Sequence, residues 1–177
     1  MFARTPRLTL RPAWPEEAAA LAAAIGHREV AVKLARMPWP YTEEHARAWL
    51  GTPKPDGEVS LSIYAHEQPT PRLVGGTGLH WQGDELVLGY WLTPSAWGRG
   101  YATEAARATV DMARHALGRD RLVSAYWCDN PASGRVLAKL GFVETGREPR
   151  WCEAQGREVP AVAMALDLRE PALKLAA

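Results

Sequence analysis

ELVLGYWLTPSAWGRGYATEAARATVDMA, residues 85–113, changes its hydrophobic period once and so spells out three elements in a row. Leu86, Leu88, Tyr90 and Leu92 alternate, which is the period of a strand with one face on a core. Pro94 and Ser95 stop that strand. Trp97-Gly98-Arg99-Gly100 is a glycine-bearing loop. Behind it Ala102, Ala106, Val110, Ala113 and Leu117 return at spacings of four and three, one apolar face of a helix. The first amides of a helix have no internal acceptor, and the helix dipole places positive charge there, so the arrangement suits an anion. Glycines let the backbone turn sharply and come close to a ligand. Arg99 adds a formal charge. The loop has no Lys-Ser/Thr after its second glycine and no third glycine at dinucleotide spacing. That speaks against a nucleoside triphosphate or nicotinamide cofactor and leaves a pyrophosphate held by backbone amides.

The rest of the chain reads around this unit. Residues 7–11 alternate up to Pro12 as a first strand. Pro15-Glu16-Glu17 opens a helix that Gly26 stops, a short helical stretch follows from about Glu29 to Ala35, and Thr42 starts another ending near Gly51. Strands are expected over 60–66 and 73–81, the latter interrupted by Gly75, Gly76 and Gly78. Gln82-Gly83-Asp84 makes a hairpin turn, so these strands run antiparallel. The helix behind Gly98 runs to about Leu117, and Arg121 to Trp127 is a strand. A strand joined to the next by a helix is a parallel crossover. Asn130-Pro131 opens a last helix ended by Gly141, Phe142 begins a further strand, and Val159 to Leu168 forms the final one. The tail from Glu170 to Ala177 carries no pattern. A single domain over residues 1–177 with a mixed sheet, antiparallel except for one central pair, is the expectation.

With 177 residues and 47% hydrophobic composition the chain can bury a sizeable core. A formal net charge of +1 gives no reason to expect nucleic acid as a partner. No apolar run approaches the roughly 18–20 residues of a membrane span, and the N-terminus lacks a signal peptide's apolar core. Cys128 and Cys152 have neither C-x-x-C spacing nor a histidine pair nearby, which argues against a metal site or a disulfide framework. A cytoplasmic protein with reduced thiols, no metal and no membrane contact is expected. A homodimer is compatible with all of this.

Three blocks carry a family resemblance. GYWLTPSAWGRGYATEA at 89–105 resembles the acetyl-coenzyme A loop of the GNAT acetyltransferases, in their RimJ/RimL-like branch. DNPASGRVLAKLGF at 129–142 resembles that branch's second motif, and TPRLTLRP at 5–12 its first strand. The resemblance implies an α/β (α+β) fold with helices on both sheet faces and a central parallel pair that splays to hold the coenzyme. It implies that backbone groups of Trp91, Leu92 and Thr93 pair with the pantetheine arm. The amides of Gly98, Arg99, Gly100, Tyr101, Ala102 and Thr103 would then hold the pyrophosphate. Trp97 stands where the family's loop usually begins with Arg or Gln.

The implied reaction is direct attack of a primary amine on the thioester of acetyl-CoA, with a backbone amide near Leu92 holding the oxyanion. An α-amine, with a pKa near 8, is about a tenth deprotonated at pH 7, and a lysine amine under about a thousandth. The acceptor is accordingly a peptide N-terminus or a small-molecule amine. Asn130 reads as a helix N-cap from its own chemistry and, through the resemblance, as a bond to the coenzyme arm. Ser133 shares a helix face with Val136, Leu137 and Leu140. Many GNAT enzymes carry a tyrosine as general acid where this chain has Leu137; the resemblance to the RimJ/RimL-like branch implies Ser133 as the proton donor instead. The base candidates are His80, Glu85 and Glu144. Arg135 and Lys139 are candidates for the coenzyme's 3′-phosphate, a solvated helix face being the plainer reading. Trp39, Tyr41, Trp81 and Trp151 suggest an apolar or amphipathic acceptor walled by segments near 25–45 and 145–160. Two other readings fit part of the pattern: a non-catalytic acyl-CoA-binding sensor or scaffold, and a phosphate site for another nucleotide.

Overall fold

The computed structural model describes residues 1–169; the tail from Glu170 lies outside them. Eight strands form one sheet. In chain order they are β1 (Ala3–Arg4), β2 (Leu8–Arg11), β3 (Val59–Ala65), β4 (Arg72–Gln82), β5 (Glu85–Leu92), β6 (Arg121–Trp127), β7 (Val143–Cys152) and β8 (Arg157–Asp167). Across the sheet the order is β1-β2-β3-β4-β5-β6-β8-β7. Every neighbouring pair is antiparallel except β5 and β6, which meet in parallel at Val87 and Val123. The mixed sheet with one parallel pair is the architecture expected.

Five helices cover it: α1 (Ala18–Ile25), α2 (Arg28–Ala31), α3 (Glu43–Gly51), α4 (Tyr101–Asp111) and α5 (Pro131–Lys139). Strand alternation sorts them onto two faces. Leu88 and Leu92 of β5, Leu79 of β4 and Leu122 of β6 pack with Ala105, Ala106 and Val110 of α4 and Leu137 of α5 in the main core. Trp91 points the other way, into smaller clusters with Ile25, Val30, Ala31 and Met37 and with Leu21 and Ala46. Leu79, Leu88, Leu122 and Leu137 are fully buried, and truncating such a leucine to alanine costs about 2–5 kcal/mol.

Local chemistry explains most boundaries. Gly26 ends α1, and Thr42 caps α3, its hydroxyl accepting from the His45 amide at 3.4 Å while His45 Nδ1 accepts from the Thr42 amide at 3.1 Å. Four differences from the sequence reading stand out. A two-residue strand, Ala3–Arg4, extends the edge. The short helix after Gly26 covers only Arg28–Ala31. The α4 ladder gives way after Asp111 to a π turn over Met112–Ala116, a local widening that side-chain periodicity does not reveal. β7 is ten residues long and almost wholly exposed. As an edge strand with no helix over it, it has no apolar alternation to betray it.

Candidate active site

The site forms where β5 and β6 part. Along β5, carbonyls and amides alternate in direction. The Gly89 carbonyl accepts from Thr77 Oγ1 of β4 at 3.2 Å, and the Thr93 amide donates to the Val74 carbonyl at 2.9 Å. The Leu88 carbonyl instead accepts from Ser124 Oγ of β6 at 2.9 Å. The backbone groups of Tyr90 and Leu92 therefore face β6. Beyond Val87 and Val123, however, the described residues contain no further parallel pairing. This corrects the expectation for Trp91 and Thr93, whose backbone groups turn to β4, the Thr93 amide already engaged there. Leu92 alone of the three offers its amide to the opening. Its carbonyl accepts the Trp97 indole N–H at 2.9 Å.

Just past it lies the loop. The Trp97 amide donates to the Pro94 carbonyl and the Glu104 amide to the Gly100 carbonyl, each at 3.1 Å. Between them, no amide from Gly98 to Thr103 has an acceptor within the described chain. Gly98 and Gly100 hold φ of +75° and +79°, left-handed conformations that side chains with a Cβ rarely adopt. The loop is braced from behind. Arg7 donates from Nη1 to the Arg99 carbonyl at 2.9 Å and pairs through Nη2 with Glu104 at 2.6 Å. Glu104 also accepts from Thr5 Oγ1 at 2.6 Å. Burial pushes the Glu104 carboxyl up, but the hydrogen bonds from Thr5 and Arg7 outweigh it and hold the group below its ordinary value. Six amides without an acceptor among the described residues, at the start of an α-helix, are a fit for a diphosphate.

On the far side of the opening, Pro131 starts α5 after Asn130. The Asn130 carbonyl accepts the Ser133 amide at 3.1 Å, but its side chain makes no capping bond. The side-chain cap expected at Asn130 is thus absent: its ψ of 62° lies outside the extended region usual for that role. The Asn130 backbone amide donates to the Trp127 carbonyl at 2.7 Å, and it is the side-chain carboxamide that stays available to a ligand. Ser133 is half-buried on the first turn. Its Oγ lies 2.8 Å from Tyr90 Oη, which also donates to the Ser133 carbonyl at 3.0 Å. Arg135 and Lys139 are exposed on the outer face of α5.

The base candidates separate. His80 lies opposite Val87 on the sheet face that carries Trp91, beside the bare Cα of Gly89. Burial, helped by the positive charge of Arg36 and opposed by Glu58, pulls its imidazole below the usual value of 6.5, so it is neutral at pH 7. Glu85 shares that face but pairs with Arg121 at 3.2 Å. It borders a groove of about 260 Å³, lined by Val87, Val123, Glu148 and Arg150 among others. Glu144 is corrected: it is fully exposed on the edge strand and bound to Arg147 at 2.8 Å.

The family model of the Acetyltransferase (GNAT) domain matches residues 7–143, well over half of the chain. The chain belongs to the GNAT acetyltransferase family. A relative from Bacillus subtilis (strain 168), named as the uncharacterized N-acetyltransferase YoaA, is 34% identical over 80 residues, which span 44% of this chain and 45% of that protein. The fold is that of a GNAT-family acetyltransferase from Bacillus anthracis, with a TM-score of 0.81, 22% identity and coverage of 96% of this chain and 100% of the other. It is also that of a ribosomal-protein-S5-alanine acetyltransferase from Vibrio fischeri, with a TM-score of 0.76, 17% identity and coverage of 97% and 100%.

On the GNAT frame the two segments expected to wall the acceptor do meet. The Glu153 amide donates to the Ala35 carbonyl at 2.9 Å, Gln155 Nε2 to the Val32 carbonyl at 3.0 Å, and Cys152 Sγ lies 3.5 Å from the Leu34 carbonyl. Lys33 pairs with Asp129 at 2.9 Å, tying that wall to the start of α5. Tyr41 and Trp91 pack against the same two small clusters, while Trp39 and Trp151 stand exposed. Trp81 is corrected: it packs on the α4 face with its indole N–H on the Asp56 carbonyl at 3.0 Å and Arg119 over its ring. Two residues escaped sequence reasoning. Tyr90 was seen only as a core position, and His27, whose Nε2 lies 3.4 Å from Thr93 Oγ1 at the end of β5, has no motif around it.

Proposed function

We propose that the protein is an N-acetyltransferase that moves an acetyl group from acetyl-CoA to a primary amine, by direct attack within a ternary complex. The observation that carries this reading is the run of amides from Gly98 to Thr103 without acceptors among the described residues, set beside the Leu92 amide, which faces β6 beyond the one parallel pairing at Val87 and Val123. In this reading the loop holds the diphosphate and the pantetheine arm enters between β5 and β6. The Leu92 amide receives the oxyanion as the amine attacks. His80, neutral at pH 7, takes the amine's proton directly or through water. Ser133 meets the sulfur as the C–S bond breaks.

The acceptor is a peptide N-terminal α-amine or a small-molecule amine, entering alongside the wall that the joined 32–35 and 152–155 segments form. An α-amine suits the site because a fair fraction is already neutral at pH 7. The test is thioester consumption with a panel of N-terminal peptides and small amines. Saturable transfer to at least one acceptor supports the enzyme. Saturable coenzyme binding with no transfer to any would instead mark a non-catalytic acyl-CoA sensor or scaffold.

A further inference from the structure

We infer that Tyr90 is a positioning residue whose hydroxyl decides which way the Ser133 O–H points. The inference rests on the acetyl-transfer reading above and concerns the same site. Tyr90 Oη lies 3.0 Å from the Ser133 carbonyl and 2.8 Å from Ser133 Oγ. The carbonyl can only accept, so the first contact uses the single proton of Tyr90. The second contact then uses the Ser133 proton, which points at the phenol and away from the opening. Turning the Tyr90 O–H onto Ser133 Oγ reverses this. The serine oxygen keeps its partner, and its proton is released to point at a leaving sulfur.

The first turn of α5 sits on two tyrosines, one from each of the strands that part. Tyr90 of β5 holds Ser133, and the Tyr126 ring of β6 lies so close under Gly134 that a Cβ there would come within 2.6 Å of it. Burial pushes the Tyr90 phenol up to about 12, against the lowering effect of its bond to Ser133. It therefore stays protonated, and a donor, at every pH where the enzyme would work.

The chemistry asked of the pair is small. When the tetrahedral adduct collapses, the C–S bond breaks and its electron pair goes to sulfur. Ser133 donates a hydrogen bond to that charge while accepting one from Tyr90, and neither gives up its proton. The thiolate, with an ordinary pKa of about 8.5, then takes a proton from water. Leu137, one turn further along α5, offers no hydroxyl, so the donor has to be oriented from the sheet.

The test compares Tyr90→Phe, Ser133→Ala and the double variant, with two readouts. The first needs no acceptor: the thiol of bound coenzyme A is titrated by its thiolate ultraviolet absorbance. Each single substitution is expected to raise that pKa by about one unit, and the double variant no more than Ser133→Ala alone. The second is kinetic: kcat falls roughly tenfold in both single variants and in the double, with KM for acetyl-CoA within about twofold of wild type. Phe keeps the ring, and unchanged coenzyme affinity reports an intact site. A bound thiol that titrates in Tyr90→Phe as it does in wild type overturns the inference, as do losses that add in the double variant. Coenzyme A that fails to bind the wild-type protein overturns the acetyl-transfer reading itself, and this inference with it.

Discussion

The Trp97 indole N–H donates to the Leu92 carbonyl at 2.9 Å, bridging the end of β5 and the anion loop with a side chain. Leu92 thus turns two backbone groups toward the opening: its amide, and a carbonyl already bonded to the indole. The family resemblance implies Arg or Gln at this place, and this bond gives Trp97 a structural use. It holds the segment from Thr93 to Trp97 so that the loop amides stay aimed outward. Trp97→Phe, which keeps the ring system's bulk in part but loses the donor, should raise KM for acetyl-CoA about fivefold, the worth of one hydrogen bond, with little change in kcat. Steady-state kinetics at saturating acceptor measures it, and an unaltered KM contradicts it.

Gly98 offers a cleaner probe of the loop, because a Cβ there would meet nothing within 4 Å and only its φ of +75° resists substitution. Gly98→Val should weaken coenzyme A binding by roughly tenfold, matching the 1–2 kcal/mol that a left-handed conformation costs an ordinary residue. Gly98→Asn, which tolerates that region, should lose less. Calorimetric titration of the two variants gives the order, and equal losses would show that the backbone angle is irrelevant.

For His80 the direction of the shift sets the pH profile. Its imidazole is held below 6.5 by burial and by Arg36, so the basic form persists to a lower pH than in an ordinary histidine. With the acceptor's own ionisation, near pH 8 for an α-amine, divided out, the remaining acid limb of kcat/KM should accordingly lie below pH 6.5. Arg36→Gln removes a lowering charge and should move that limb upward. His80→Gln should flatten the limb and cut kcat/KM on the order of a hundredfold. A limb that His80→Gln leaves in place would pass the role to another base, with His27 first in line.

Stability at acid pH turns on a different group. The Arg11 guanidinium, with help from the Tyr64 hydroxyl and the Trp14 amide and against the effect of burial, holds the Glu17 carboxyl down at about 2. A depressed carboxyl stabilises the fold fully above its unfolded value of about 4.5 and loses that contribution as pH falls toward 2. Glu17→Gln should lower Tm at pH 7, by an amount corresponding to up to about 3 kcal/mol, and the gap to wild type should close between pH 4.5 and 2. Thermal melts across that range test it, and a gap independent of pH would refute it.

Most of the frame could be read from the chain because its signals are local. The alternation of Leu86, Leu88 and Leu92, the Thr42 cap and the glycines at 98 and 100 each act within a few residues. β7 could not be read that way, since an exposed edge strand needs no apolar period. The site was legible in part. The outward amides at Gly98–Thr103 follow from a glycine loop opening a helix, whereas the direction of the Trp91 and Thr93 backbone follows from pairing with β4, which sequence leaves one residue ambiguous. The contact of Tyr90 with Ser133 joins positions 43 apart. Both lie on inward faces of one layer, and crossing those two periodicities is the signal that could have found it.

Coenzyme recognition rests on the backbone amides of the loop, which amide chemical shifts report residue by residue. On adding coenzyme A, the resonances of Gly98 to Thr103 and of Leu92 should move furthest in the whole spectrum, while the Thr93 amide, bonded to Val74, stays near its place. Coenzyme A that binds without moving the Gly98–Thr103 resonances would contradict the account.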